Sequence, residues 1–413
     1  MPSDAPGDAP GETQREAQRD AQWMERACRI ALQGQGRVEP NPMVGCVIVR
    51  GGQAIAEGFH AQFGGPHAER AALANLRGAS ARGATVYVTL EPCCHHGKTP
   101  PCTDALIEAG VARVCCAVLD PFPQVSGRGV EQLRSAGIHV DVGCAESTAR
   151  SVLAPYLKRV TQQRPFVIAK WAMSLDGKIA THTGDSRWIS SAASRAHAHQ
   201  IRGTVDAIIV GSRTAQIDDP LLTARPAGPR TPLRVVIDSR AGLSPESQLA
   251  RTARESPVLV WAGPAAPAAN IERLRQLGCQ VHICSEESHR IDALLDMLAQ
   301  QTNATNVLCE GGGELLGHLF DLQVIDEVQV YIAPKLIGGR SAPAPLSAQG
   351  VELVSSGPTL TVCEQAFFDG DTYIRARMDH ATQAAPCPPW LVSGKAPSPP
   401  APPSPKRGEG ESH

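Results

Sequence analysis

Aromatic residues are scarce: only 4% of this 413-residue chain is Phe, Trp or Tyr. That is too few to build a stacking platform for single-stranded nucleic acid. Charge of one sign is not in excess either. The chain has 39 Lys and Arg against 41 Asp and Glu, a formal net charge of −2, and no long basic block. Broad binding to nucleic acid or to an anionic membrane surface is therefore not expected, although a local phosphate site stays open. No apolar run approaches the roughly 18 residues of a membrane-spanning helix. The first residues lack the basic and apolar regions of a secretory signal. The expected compartment is the cytoplasm, where thiols stay reduced. The 13 cysteines then need a reason other than disulfides. Cys46, Cys115, Cys116 and Cys309 sit in apolar, strand-like runs, where free cysteine acts as a small hydrophobe. Cys93, Cys94 and Cys102 do not, since they lie in a polar loop rich in Pro and His.

Two stretches are too polar and Pro- or Gly-rich to bury much surface, residues 1–20 and 380–413, and both are expected to be disordered tails. The remainder suggests two domains, 21–163 and 164–379. Both read as alternating strands and helices. In the first, helices are expected at 21–34, 67–76, 103–109, 130–136 and 146–160, with strands at 43–49, 53–59, 85–90, 111–119 and 138–142. The second restarts with a strand at 166–172, a helix at 192–202 and a continuously apolar strand at 205–210. Later come a strand at 305–309, three glycines and a helix from Glu314. The fold class is α/β in both halves, with mostly buried central strands.

His67-Ala68-Glu69 opens a helix after Pro66, and Glu91-Pro92-Cys93 follows, with Cys102 nine residues beyond Cys93. Zinc deaminases carry H-x-E followed by P-C-x-x-C. One His nitrogen and two thiolates give a metal three protein ligands and leave a fourth position for water. Zinc makes such a water acidic near neutrality, and the nearby Glu handles protons rather than metal. The usual cysteine spacing is three, not nine. Cys94, His95 and His96 are therefore rival ligands, and a closed four-ligand structural site remains an alternative.

Three segments sharpen the reading: PNPMVGCVIV (40–49), GGPHAERAAL (64–73) and TLEPCCHHGKTPPC (89–102). They resemble the deaminase half of the bifunctional riboflavin-biosynthesis deaminase/reductase family, which uses a long-spaced cysteine pair. The resemblance assigns one zinc ion per chain to His67, Cys93 and Cys102, and the proton shuttle to Glu69. It suggests substrate contacts from Asn41, His60, Lys98 and Thr99. It also marks Cys94 as a departure, because the family usually has serine there.

In the second domain, Gly311-Gly312-Gly313 joins the strand NVLCE to the helix ELLGHLF. Glycines at a helix N-terminus let backbone N–H groups approach a phosphate. The pattern is not the dinucleotide G-x-G-x-x-G. SLDGK (174–178), GDSRWIS (184–190) and TAQIDDPLLTAR (214–225) add to it. Together they resemble the reductase half of the same family, which has a dihydrofolate-reductase-like α/β fold and uses NADPH. The resemblance places Ala172, Trp188, Thr214, Asp218, Gly312, Gly313, Glu314, Leu315, Leu316, Gly317 and His318 around NADPH. Ser239, directly after the strand RVVID, is a further expected cofactor contact. It places Ser186, Arg202, Leu222, Arg225 and Glu310 around the substrate, where arginines suit a ribose phosphate. The implied fold is a cytidine-deaminase-like zinc domain followed by that reductase domain. The implied partner is a phosphoribosylaminopyrimidine, and a homo-oligomer is compatible with the resemblance. Alternatives are a chain with one active half, a zinc-stapled binding module and a tRNA or nucleoside deaminase.

Overall fold

The computed structural model describes residues 12–96, 100–285 and 290–378. Lys98 and Thr99, expected to touch substrate, lie outside the described residues, as do 1–11 and 379–413. Among the described residues, no helix is long and apolar enough to cross a membrane.

Two sheets form. The first contains β1 (Gly45–Arg50), β2 (Gln53–Phe59), β3 (Thr85–Val88), β4 (Arg113–Cys116) and β5 (His139–Val142), in the order β2-β1-β3-β4-β5. β1 pairs antiparallel with β2 and β3, and the remaining pairs are parallel. The helices α1 (Glu12–Ala31), α2 (Ala68–Ala74), α3 (Cys102–Glu108), α4 (Arg128–Ser135) and α5 (Glu146–Gln162) cover it. One core joins Ile48, Val86 and Val114 to Ala72, Leu106 and Leu133. The other joins Val47 and Cys115 to Met24, Ala27, Val152 and Leu153. Gly58 sets how closely α2 approaches β2: a Cβ there would lie 2.2 Å from the Ala72 amide nitrogen. A side chain at 58 would displace the helix that carries Glu69.

The second sheet has nine strands: β6 (Phe166–Ser174), β7 (Ala207–Gly211), β8 (Leu233–Ile237), β9 (Val258–Ala262), β10 (Gln280–Ile283), β11 (Asn306–Glu310), β12 (Glu327–Ala333), β13 (Leu360–Phe368) and β14 (Asp371–Met378). The order is β10-β9-β8-β7-β11-β6-β12-β14-β13, parallel as far as β12 and antiparallel beyond. Its helices are α6 (Ala192–Arg202), α7 (Ser212–Asp218), α8 (Gln248–Arg251), α9 (Ala268–Gln276), α10 (Arg290–Gln301) and α11 (Gly313–Asp321). The carboxyl ends of β6, β7, β8 and β11 open on one side of the sheet, the usual place for a ligand in parallel α/β folds. The two halves touch through α5, whose Lys158 pairs with Asp326 at 2.6 Å and whose Ser151 carbonyl accepts from Arg377 at 2.7 Å.

The expected N-terminal tail is too long. α1 begins at Glu12, so residues 12–20 are helical. The run ETQREAQRD is rich in good helix formers, and its end is anchored. Asp20 accepts from Tyr87 at 2.6 Å and from Arg113 at 3.0 and 2.7 Å. Composition alone hides this, because the anchoring partners lie 67 and 93 residues away.

Candidate active sites

In the first half, His67 is the N-cap of α2 and Glu69 is the second residue of that helix. Cys102 opens α3. The Cys93 carbonyl accepts from the amides of Cys102 and Thr103 at 3.0 and 3.2 Å, which closes the loop between the two cysteines. His67 Nδ1 stands 3.4 Å from each sulfur. The three ligand atoms lie within 4.8 Å of one another. Among the described residues no fourth His, Cys, Asp or Glu joins the group. Cys94 lies apart, with its sulfur 3.8 Å from the Gln124 carbonyl. One imidazole and two thiols with an open side is the donor set of a zinc site that keeps a water position, so these residues fit the metal.

Glu69 is 3% exposed. Burial, and then the neighbouring Cys93 charge, push its carboxyl up to about 7. A dication beside it would draw it back toward the ordinary range. Its carboxyl meets the Cys102 thiol but is not part of the ligand group. Hydrogen bonds from Cys102 and His67 pull the Cys93 thiol down, in keeping with a thiolate ligand.

Asn41, expected at the substrate, is half-buried at the edge of this group. His60 is enclosed, at 2% exposure. Burial lowers its pKa, so the ring is neutral. Nδ1–H then donates to the Pro66 carbonyl at 2.9 Å, and Nε2 accepts from the Asn41 amide at 3.2 Å. Both ring nitrogens are thus engaged within the protein. His60 differs here from the expected substrate contact: it orients Asn41 and packs edge-on against His67, ring centroids 5.4 Å apart.

In the second half a cleft of about 1760 Å³ opens at the carboxyl ends of β6, β7, β8 and β11. Arg202 grips Glu310 through Nε and Nη2, at 2.6 and 2.7 Å. Lys170 on β6 stands 3.9 Å from the same carboxylate. Burial pushes the Glu310 carboxyl up, but the Arg202 and Lys170 charges outweigh it and hold it at about 2. Arg225 reaches His199 Nε2 at 3.2 Å, and His199 Nδ1 contacts the Thr223 carbonyl at 3.0 Å. Burial lowers the His199 pKa, so His199 orients Arg225 as a neutral ring. Ser186 donates to Asp218 at 3.3 Å across the mouth. Trp188 is 61% exposed on the rim, with the Arg195 guanidinium 4.4 Å from its ring. Arg290 donates to the Ser239 hydroxyl.

The glycine run divides its work. Gly312 is the N-cap of α11, and its N–H donates to Thr214 Oγ1 at 3.0 Å. A Cβ at 312 would meet only that hydroxyl, at 3.3 Å, so its face toward the cleft is open. A Cβ at Gly313 would lie 2.1 Å from the Ala344 carbonyl oxygen, so that glycine serves packing. An open glycine at a helix N-terminus, in a cleft whose lining also includes Arg187, Arg213 and Arg290, fits the phosphates of a dinucleotide.

Residues 17–118 match the family described as the cytidine and deoxycytidylate deaminase zinc-binding region, and residues 165–364 match the RibD C-terminal domain. The riboflavin biosynthesis protein RibD of Actinobacillus pleuropneumoniae is 40% identical over 340 residues, 82% of this chain and 90% of the relative. The chain belongs to the RibD family. RibD of Escherichia coli K12 is 38% identical over 361 residues, 81% and 93% of the two chains. The solved RibD of Acinetobacter baumannii superposes with a TM-score of 0.76 at 35% identity, over 88% of this chain and all of that one. The deaminase/reductase of Thermotoga maritima gives 0.75 at 36%, over 88% and 99%. Like other RibD proteins, the chain is a bifunctional enzyme of riboflavin biosynthesis. It has a zinc-dependent deaminase half and an NADPH-dependent reductase half.

Within this RibD fold some expected contacts move. Leu316 is fully buried in the core beside Leu319. A Cβ at Gly317 would lie 2.6 Å from the Ala348 amide nitrogen. Neither borders the cleft, whereas Gly313, Glu314, Leu315 and His318 do. Seven consecutive residues cannot share one helix face at 3.6 residues per turn. Leu222 packs its side chain into the core at 1% exposure, and it has a φ of +53°. It nonetheless borders the cleft, as expected. The remaining expected reductase residues, Ala172 and Thr214 among them, border the cleft.

Three RibD residues escaped the sequence reading. Glu91 is buried, and its two carboxylate oxygens accept four backbone N–H groups, from Asp120, Gly127, Gly129 and Val130, at 2.9–3.2 Å. It pins the segment that carries Cys93 to the start of α4. Lys170 and His199 belong to the cleft. Lys170 had a visible signal, a lone cation in the apolar strand FVIAKWAMS.

Proposed function

We propose that this RibD-family enzyme performs both steps in order, with the halves divided at residues 163/164. The first half hydrolyses the amine from ring C2 of 2,5-diamino-6-(5-phosphoribosylamino)pyrimidin-4(3H)-one. The second reduces the ribosyl side chain of the product to ribityl. The observation that carries the reading is the three-ligand group of His67, Cys93 and Cys102 beside a buried, non-ligating Glu69. A closed structural site would show a fourth ligand and would not need that carboxyl.

Zinc, held by His67, Cys93 and Cys102, supplies a water acidic enough to attack near neutral pH. Glu69 accepts a proton from the attacking water and passes protons to the ring nitrogen and the departing amine, which leaves as ammonia. Asn41, oriented by His60, holds the pyrimidine edge. In the second half NADPH supplies the hydride. Arg225, braced by His199, holds the ribose phosphate. Glu310, with Arg202 and Lys170, binds the sugar hydroxyls and orients the ring-opened C1′ imine, which takes hydride at carbon and a proton from solvent at nitrogen to become the ribitylamine. Thr214, Gly312, Trp188 and Ser239 line the NADPH side. Positioning then contributes much of the rate. The partner is this small molecule rather than a nucleic acid or a membrane. The free thiols suit a cytoplasmic setting.

The test is an assay of the purified chain with the diaminopyrimidine, following ammonia release and NADPH oxidation separately. Ammonia is expected to appear without NADPH, and NADPH to be consumed only after deamination. NADPH oxidation with no ammonia would overturn the reading of the first half.

A further inference from the structure

The segment that delivers Asn41 to the deaminase site does not stand alone. It is a tight turn: Asn41 N–H donates to the Val38 carbonyl at 2.9 Å, and Gly36 N–H donates to Glu39 Oε1 at 3.0 Å. Glu39 is 6% exposed. The cation that meets it comes from the other half. Arg230 Nη1 stands 3.5 Å from Glu39 Oε2 and 3.5 Å from the Glu39 carbonyl. The second guanidinium nitrogen pairs with Asp206. Asp206 Oδ2 in turn accepts from the amides of Thr305 and Asn306 at 2.8 and 2.9 Å, where β11 begins. The Arg230 N–H donates to the Gly203 carbonyl at 3.0 Å, so the guanidinium extends from a fixed backbone. Arg230 follows the loop that carries Arg225 by five residues.

We propose that Arg230, a residue of the reductase half, is a positioning residue for the deaminase: through Glu39 it fixes the 36–41 turn and so places Asn41 against the pyrimidine. This rests on the reading of Asn41 as a substrate contact. A buried carboxylate without its cation would draw in water or reorient, and the turn built on Glu39 Oε1 would loosen with it. The deaminase site is therefore completed from across the domain boundary. A first half cut free at 163 would lack this clamp.

The experiment uses the full-length, zinc-loaded chain as wild type, Arg230→Ala, Arg230→Lys and Glu39→Gln. Deamination kinetics, zinc content, melting temperature and hydrogen exchange of the 36–41 amides are measured for each. Arg230→Ala is expected to raise the deaminase KM about five- to twentyfold, the scale of one lost charge-assisted contact. Its kcat should stay within about a factor of two, its zinc content should not change, and the Gly36 and Asn41 amides should exchange faster. Arg230→Lys is expected to restore most of the KM. Should Arg230→Ala fail to fold, Glu39→Gln, which keeps the acceptor for Gly36, is expected to show the same KM rise in a smaller measure. Unchanged KM in a folded variant overturns the proposal, even if exchange quickens. Equal loss of kcat, zinc and melting temperature also overturns it, since that marks general destabilisation. If wild type itself releases no ammonia, the functional reading has failed. The clamp is then judged by exchange alone: unchanged exchange in Arg230→Ala refutes it.

Discussion

Arg202 and Glu310 lock together through two parallel hydrogen bonds, 2.6 and 2.7 Å long, at the floor of the reductase cleft. Their side chains are only 14% and 11% exposed. Removing one partner of such a pair strands the other charge at a cost of about 3–5 kcal/mol. Glu310→Ala is therefore expected to abolish reduction and to lower the melting temperature of the reductase half, while Glu310→Gln loses activity with a smaller shift. Calorimetry with NADPH oxidation checks both. The pH dependence has a definite sign. The folded carboxyl is held at about 2 against an ordinary 4.5. Its contribution is complete above about pH 4.5 and is lost as pH falls toward 2. The pair should leave reductase stability unchanged between pH 6 and 8.

The anchor of α1 gives a second expectation. Asp20→Ala removes the acceptor shared by Tyr87 and Arg113, and should cost about 1–3 kcal/mol. Arg15→Ala, on the exposed part of the same helix, should leave the melting temperature unchanged. Thermal melts of both variants decide whether residues 12–20 belong to the folded body.

Much of the fold was legible in the sequence, because the strand and helix periods repeat through both halves and buried strands such as AIIVG read as continuous apolar runs. The metal chemistry was legible for another reason: the ligand types sit in short motifs, HAE and EPC, and two of the ligands, His67 and Cys102, fall at helix starts. What was not legible depends on distance. Glu91 serves amides 29–39 residues away, and Arg230 meets a carboxylate 191 residues earlier. The short helix α7 was missed because SRTAQID is only seven residues long and carries little apolar pattern. The inward turn of Leu316 and Gly317 follows from helix geometry once the start of α11 is known.

The rival metal ligands separate by substitution. Cys102→Ser is expected to lose zinc and deamination together, because it deletes one of three ligand atoms. Cys94→Ser is expected to retain both, since its sulfur lies against the Gln124 carbonyl and outside the ligand group. Metal analysis of the two purified variants is the check. Zinc lost from Cys94→Ser would place a fourth ligand at 94.

The account stands on two chemistries in separate halves of one chain, with Glu69 as proton carrier rather than ligand. Glu69→Gln tests that directly, with zinc content, ammonia release and reduction of already deaminated substrate measured on one preparation. The expected result is zinc retained at one per chain, ammonia release lost by at least about a hundredfold, and reduction at the wild-type rate. Zinc lost in step with ammonia release would make Glu69 part of the metal site, and reduction lost alongside deamination would contradict two separable active sites.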